Sequence, residues 1–417
     1  MKIAIIGSGI SGLTAAYLLN QKHDIHVFEK ADRLGGHTAT IDIDYKGEQL
    51  AIDTGFIVYN DRTYPNFIKL LSQIGVETQD TSMGFSVSAG KSGLEYAGNS
   101  INSLFSQRKN IFSPAYLKML LEIVRFNKQA QRDLDKGTIS QSMTLGEYLT
   151  ANGYSEYFVR HYLVPMGAAI WSASFATMKA FSVDFFIRFF SNHGLLTVFN
   201  QPQWHVIKGG SKEYIAPLVA SFEDKITLNS KIESIIRVNE SAVEIVFSDG
   251  HKEIFDQVVF ATHSDEALAL LDDATNIERD ILSAIPYKDN SVVLHCDESL
   301  LPINKRTWSS WNYMLGEDDD ALPVLTYNMN ILQGLKTNRT YCVTLNADDM
   351  IDSDKIIARF AYAHPQFSVQ STQAQARWSE VNGVNNTWFC GAYWGNGFHE
   401  DGVSSACKVA THLGVTL

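Results

Sequence analysis

The chain has 417 residues, 45% of them hydrophobic and 11% aromatic, which suits about two or three domains with a substantial core and excludes wholesale disorder. Its formal net charge is −12 and no lysine- or arginine-rich run interrupts it, which argues against a nucleic-acid partner. No apolar stretch approaches ~18 residues, so no transmembrane helix is expected.

The first element is an apolar strand, Lys2-Ile3-Ala4-Ile5-Ile6. It begins so early that no signal peptide is expected ahead of it, and a cytoplasmic protein is expected. Gly7-Ser8-Gly9-Ile10-Ser11-Gly12 follows at once, and residues 13–19 continue with helical content. Strand, G-x-G-x-x-G and helix in that order are what a dinucleotide-binding turn needs. Gly7 makes the tight turn, Gly9 lets backbone approach a pyrophosphate, and Gly12 lets helix and strand pack closely. The free N–H groups of the helix start then face the phosphates. A second strand over 25–28 ends at Glu29, 17 residues after Gly12, placed to accept hydrogen bonds from ribose hydroxyls and to repel a 2′-phosphate. Beyond it, Arg33-Leu34-Gly35-Gly36-His37-Thr38 offers paired glycines beside an arginine. Asp53-Thr54-Gly55-Phe56-Ile57-Val58-Tyr59 is a further loop centred on glycine.

Residues 66–75 and 114–135 read as helices. In the second, Lys118, Glu122, Arg125 and Gln129 form a narrow polar stripe, and apolar residues fill most of the remaining circumference. The expectation is a helix buried in its own domain, with a membrane-docking or dimer face as the alternative. A third helix carries Phe181, Phe185, Phe186, Phe189 and Phe190 and stops at Asn192-His193-Gly194, its phenylalanines forming either core or a ligand tunnel. Trp204-His205-Val206-Ile207 is a strand entering the glycine turn 209–211. A strand-rich block follows, and Asp256-Gln257-Val258-Val259-Phe260-Ala261-Thr262 has the look of a buried parallel strand. Residues 287–384 mix strands and short helices, with an acidic tip at Glu317-Asp318-Asp319-Asp320 read as a solvated loop. The chain closes on a glycine-rich block, 388–403, and a helix of small residues over 404–413. The four cysteines, Cys296, Cys342, Cys390 and Cys407, are widely spaced and read as reduced thiols; no Cys/His spacing suggests a metal.

Four motifs in order carry a resemblance: the opening turn with Glu29, Arg33-x-Gly35-Gly36, the strand ending Val258-Val259-Phe260-Ala261-Thr262, and the C-terminal glycine block. Together they resemble the flavin amine oxidase superfamily of monoamine oxidases, protoporphyrinogen oxidases and phytoene desaturases. The wording of His193-Gly194-Leu195-Leu196, Gln203-Trp204, Gly209-Gly210-Ser211 and Gly397-Phe398-His399-Glu400-Asp401-Gly402 resembles a bacterial NAD/FAD-binding subfamily. A similar module is fused to plant cyclopropane fatty-acid synthases.

The resemblance implies an α/β fold. A Rossmann-like, glutathione-reductase-like FAD domain would be assembled from about 1–88, 200–286 and 380–417. An α+β substrate domain, from 89–199 and 287–379, would be inserted in it. It implies non-covalent FAD. Gly7, Ser8, Gly9, Ile10, Ser11 and Gly12 would hold the pyrophosphate, Glu29 and Lys30 the adenosine ribose, and Ile232 the adenine. Arg33, Gly35, Gly36 and His37 would lie near the phosphates and ribityl chain, and Thr54, Gly55, Phe56 and Ile57 near the flavin edge. Ala261, Thr262, Gly391, Trp394, Phe398, Glu400, Asp401, Gly402 and Val403 would complete the site, the last helix pointing its N-terminus at the flavin C2 carbonyl.

The family's substrate-domain lysine has no counterpart in Asn290-Ser291-Val292-Val293, which puts amine oxidation in doubt. Phe398 falls where one of two substrate-sandwiching aromatics is expected, with Trp378 considered for the other. The leading expectation is hydride transfer from an apolar or fatty-acyl substrate to flavin N5. The alternatives are a redox-neutral fatty-acid double-bond isomerase, an amine oxidase, and a non-catalytic flavoprotein partner of a lipid methyltransferase. Candidate pocket residues are Tyr59, Trp171, Trp204, His205, His295 and Phe398, each also readable as core or as a hydrogen-bonded strand residue. Peripheral membrane contact is carried as an alternative.

Overall fold

The computed structural model describes residues 1–89, 93–197, 201–239, 242–316 and 318–417; Glu317 of the acidic tip and the boundary expected near residue 200 lie outside them. Strand β1 (Lys2–Ile6), helix α1 (Ile10–Leu19) and strand β2 (Asp24–Phe28) form the expected opening unit, β1 and β2 pairing in parallel. Only apolar strands can sit in the middle of a sheet covered on both faces, and Ile3, Ala4, Ile5 and Ile6 are all buried. Two later segments join the same sheet in parallel: Gln257–Phe260 beside β1, and Thr387–Phe389 beyond it. Ile226–Thr227 closes the far edge on β2. The sheet is therefore assembled from three distant parts of the chain, and its carboxyl ends gather the turns that follow Ile6, Phe28, Phe260 and Phe389.

Helix α1 has nine of its ten residues buried, because the last helix, His399–His412, packs along it. Gly402 makes that approach possible: a Cβ there would lie 2.8 Å from the Ser11 hydroxyl and 2.9 Å from Ile10.

A second, seven-stranded sheet holds Ile356–Pro365, Tyr287–His295, Cys342–Leu345, Val324–Asn328, Trp311–Leu315, Phe85–Ala89 and Leu94–Ala97 in that order. Helices including Pro114–Asp135, Val164–Trp171 and Val183–Asn192 share one hydrophobic cluster with this sheet's Val87, Tyr96 and Leu325. Tyr116, Met119, Phe126 and Ala130 point the long helix into that cluster.

Its outer face departs from the expected polar stripe. Glu122 is buried and accepts the Ser155 N–H (3.0 Å) and hydroxyl, while Gln129 bonds Asn152 and the Tyr154 hydroxyl. Two members of the stripe are thus consumed inside the domain, and Leu117, Leu121 and Val124 face solvent instead. The 183–192 helix keeps Phe185, Phe186, Phe189 and Phe190 buried as core.

Candidate functional site

Ligands of open parallel sheets sit beyond the carboxyl ends of the strands, and the glycine turn occupies that place. Gly7 has φ +102° and its N–H donates to the Phe28 carbonyl (2.8 Å). A Cβ on Gly12 would lie 1.9 Å from the Gly7 carbonyl oxygen, so the turn closes only without a side chain there. Gly9 differs in kind. Its φ of −65° suits any residue, and no protein atom lies within 4 Å of where its Cβ would stand. Nothing in the polypeptide explains glycine at this position; a ligand pressed against the backbone does.

The Arg33–Thr38 loop folds over this turn. Gly35 donates to the Ser8 carbonyl (3.0 Å), and Gly35 and Gly36 both take positive φ, +107° and +55°. A Cβ on Gly36 would come 3.3 Å from Gly9 Cα. The Arg33 guanidinium secures the loop by donating to the carbonyls of Gly36 (2.9 Å) and Thr38 (3.2 Å). Glu29 is buried; its Oε2 accepts the Ser8 N–H (2.9 Å) and hydroxyl (2.6 Å), and its Oε1 accepts the Ala31 N–H (2.8 Å). It therefore stands beside the turn as a carboxylate with acceptor capacity to spare. Lys30 turns away to Glu266. Ser230 donates to the Glu29 carbonyl (2.8 Å), which brings the segment leading into Ile232 to the same edge. Ala261 and Thr262 flank Gly7 from the neighbouring strand end.

Thr54 to Ile57 lie on the other side of the loop. Phe56 donates to the His37 carbonyl (2.8 Å) and stacks on His399 at 3.5 Å between ring centroids. Thr54 bonds the Tyr362 hydroxyl (3.0 Å), and Ile57 is buried in core. His399 Nε2 meets Thr38 and Tyr214 hydroxyls at 3.1 and 3.2 Å.

Of the three histidines gathered here, the sequence pointed to His37 alone. His37, His263 and His364 have ring centroids within 5.9 Å of His37, with Tyr362 at 5.2 Å. Burial drives all three toward the neutral form, His37 to about 3 and His364 to about 4; His364 and His263 further disfavour charge on His37, and His263 on His364. His37 Nε2 is buried without a hydrogen-bond partner, an unmet polar atom beside the glycine turn. His263 follows Thr262 directly and was legible as a strand-end residue; His364 carries no motif, and only its pairing opposite Lys288 places it.

Asn290, buried on the same strand, sits 3.3 Å from His364 Nδ1 and accepts from Asn346 (2.9 Å). That strand begins at Tyr287 and so does include a lysine, but Lys288 is exposed.

The C-terminal block is drawn tight by two carboxylates. Asp401 accepts the Phe398 N–H (2.9 Å) and lies so close to Gly395 that a Cβ there would be 2.1 Å from its oxygen; burial lifts its pKa to about 6. Glu400 accepts the Asn66 and Phe67 N–H groups (3.2 and 2.9 Å) and the Asn66 side chain (2.8 Å). Its carboxylate thus caps the helix Pro65–Ile74. Gly391 donates to Ser405 Oγ (2.9 Å), Trp394 lies partly buried between two cores, and Val403 is buried.

The six pocket candidates separate into three places. Trp171 and Phe398 meet at one wall: the Trp171 indole donates to the Asn396 carbonyl (3.1 Å), and Phe398 stacks on Phe189 (5.2 Å). Phe189 stacks in turn on His193 (3.9 Å), and Phe185 lies 5.0 Å from Phe367. Tyr59, Trp204 and His205 share a small antiparallel sheet, Tyr59 opposite His205, which bonds Asp80 at 3.1 Å. His295 is a correction. Its Nδ1 accepts the Asp297 N–H (3.0 Å) and its Nε2 bonds Thr344 (2.7 Å), leaving neither nitrogen for a substrate. Trp378 is another: it packs under Lys408 (3.6 Å) and beside His412, three turns of helix from Phe398.

An open groove of about 650 Å³ runs past Phe398, His193, Asn66 and Asn396, with Arg62 the one cation among its described lining residues. Burial holds His193 neutral, its pKa lowered to about 4.

Residues 10–294 match the family model of flavin-containing amine oxidoreductases. Cyclohexylamine oxidase from Brevibacterium oxydans IH-35A superposes over 99% of both chains with a TM-score of 0.70 at 16% identity. A CLA-producing fatty acid isomerase from P. acnes matches over 99% of this chain and 98% of its own, with a TM-score of 0.69 at 17% identity. Wild-type putrescine oxidase gives a TM-score of 0.68 at 15% identity over 99% of both chains. At such identities the TM-scores show a shared fold and no more. The glutamate synthase [NADPH] small chain of Bacillus subtilis (strain 168) is 36% identical over 90 residues, 21% of this chain and 16% of that protein.

Proposed function

This chain belongs to the flavin-containing amine oxidoreductase family, and on that premise we propose that it oxidises an apolar, acyl-chain substrate. It is an FAD-dependent oxidoreductase. The residues present suit that cofactor: open space over Gly9, the acidic Glu29 beside the turn, and the unmet His37 Nε2. Bound FAD supplies the hydride acceptor at its N5. Gly7 to Gly12 would hold the pyrophosphate against the start of α1, and Glu29 would receive ribose hydroxyls. The N-terminal N–H groups of His399–His412 would offer positive potential to the flavin ring.

The observation that carries the substrate class is the groove past Phe398, whose ring packs against the buried Phe189 and His193. An aromatic face there favours hydrocarbon through loss of water contact; the two carboxylates of the groove are Glu400 and Asp401. His193, the titratable group stacked into it, is neutral at pH 7. Asp401 is committed to the Phe398 N–H, and Glu400 to the helix beside it. Arg62 at the groove would take a carboxylate head group. The fold shared with a fatty acid isomerase supports a second reading, double-bond isomerisation with no net redox change.

Anaerobic mixing of FAD-loaded protein with unsaturated free fatty acids, and separately with primary amines, tests both. Persistent bleaching of the ~450 nm band with a dehydrogenated acyl product is the expected result. Product with the oxidised spectrum restored each turnover assigns isomerisation instead. Reduction by amines and not by acyl chains refutes the proposal.

A further inference from the structure

We propose that the outward face of the helix Pro114–Asp135, with the turn before it, docks this protein on an anionic lipid surface. A helix packed on its own domain ordinarily turns polar residues to water. This one turns large apolar residues to water as well. Leu117, Leu121, Val124 and Lys128 follow i, i+4, i+7, i+11 spacing and occupy the centre of the solvent face, opposite the buried Tyr116, Met119, Phe126 and Ala130. Leu121 is 72% exposed, and Phe112 in the preceding turn is 85% exposed. Ile101 (81% exposed) starts the short helix Ile101–Leu104, to whose last carbonyl the Tyr116 hydroxyl bonds (2.7 Å). Side chains of this size left in water on one face imply a non-aqueous partner.

Charge identifies the partner. From Ile101 to Lys136 there are seven cations, Arg108, Lys109, Lys118, Arg125, Lys128, Arg132 and Lys136, in a chain whose net charge is −12. The same segment has three acids: Glu122 is buried against Ser155, Asp133 accepts the Tyr148 hydroxyl (2.7 Å), and Asp135 at the helix end accepts from Gln131 (2.8 Å). Among the described residues, Lys109, Lys118 and Lys128 make no ion pair. Lys118, Arg125 and Arg132 line one flank of the apolar stripe. An apolar stripe bordered by cations is the pattern of a helix lying in the plane of a bilayer, acyl chains below it and anionic head groups beside it. A second copy of this chain would set this excess of cations against its own like, and so is disfavoured as the occupant.

The test is sedimentation of FAD-loaded protein with phosphatidylglycerol-rich vesicles and with pure phosphatidylcholine vesicles, at low and high salt. The expected result is at least about tenfold stronger binding to the anionic vesicles, weakened by salt because surface attraction is screened within ~10 Å at 0.1 M. Leu121→Glu and Phe112→Glu should each lower that binding about tenfold and leave the flavin spectrum and melting temperature unchanged, since both side chains are exposed. Protein that stays in the supernatant with anionic vesicles at low salt overturns the proposal. So does binding that neither substitution alters. A concentration-dependent dimer that Leu121→Glu dissolves, without vesicle binding, assigns the face to a second copy. None of these readouts depends on which substrate the enzyme oxidises.

Discussion

Two glycines three residues apart should fail in opposite ways. Gly9→Ala places a methyl group where no protein atom lies within 4 Å, on backbone at φ −65° and ψ 178° that alanine adopts freely. The apoprotein should therefore fold normally, and gain about 0.4–1 kcal/mol because its unfolded chain loses freedom. Gly12→Ala places a methyl group 1.9 Å from the Gly7 carbonyl oxygen, an overlap of backbone that only displacement of α1 relieves. That variant should lose about 2–4 kcal/mol of fold stability, as overpacked cores do.

FAD binding reverses the order of interest. At a hundredfold excess over Kd a ligand stabilises its protein by about 2.7 kcal/mol. If the methyl group of Gly9→Ala weakens affinity about a hundredfold, nearly all of that is lost, and Gly9→Val should purify as colourless apoprotein. The assay is denaturant unfolding of each variant with and without added FAD, alongside flavin occupancy from the visible spectrum. Full occupancy in Gly9→Val, or apo Gly9→Ala less stable than wild type by more than about 1 kcal/mol, would refute the reasoning.

Glu400→Gln should destabilise the protein by about 1–2 kcal/mol, because a charge-assisted cap on the helix Pro65–Ile74 becomes a neutral one. Flavin loss with unchanged unfolding would show that Glu400 serves the cofactor directly. Acid should weaken the fold in a particular window. His37, His193, His295 and His364 have pKa values near 3 to 4 when folded, against about 6.5 unfolded, so the unfolded chain binds more protons below pH 6.5. Stability present above pH 6.5 is then lost as pH falls, by about 2 kcal/mol per histidine at pH 5. Asp53 and Asp401, both raised to about 6, work the other way and regain about 1 kcal/mol each. Unfolding midpoints that stay level or rise from pH 7 to pH 5 contradict this balance. Arg62→Ala should raise KM for free fatty acids several-fold and leave methyl esters unaffected; equal effects on both would remove Arg62 from head-group recognition.

The sequence by itself determined the dinucleotide turn, because every signal for it is local. An apolar strand, three glycines, a helix and an acidic strand end all fall within residues 2–29, where steric limits on the backbone and strand–helix packing act over a few residues. The distant motifs were legible as well, since Val258-Val259-Phe260 and Trp388-Phe389 are apolar runs suited to the middle of a sheet. What they touch was not legible. His37, His263 and His364 come together from three loops and strands, and Glu400 gives its carboxylate to the helix Pro65–Ile74 as well as to Ser404 on its own helix. Tertiary structure also decided which side of Pro114–Asp135 is inside. Its helical periodicity was clear, but a buried hydrogen-bonding site for Glu122 at Ser155 outweighed the exposure of Leu117, Leu121 and Val124. Periodicity counts residues around one helix, while burial is settled by the partner surface, and that surface is assembled from chain far away in sequence.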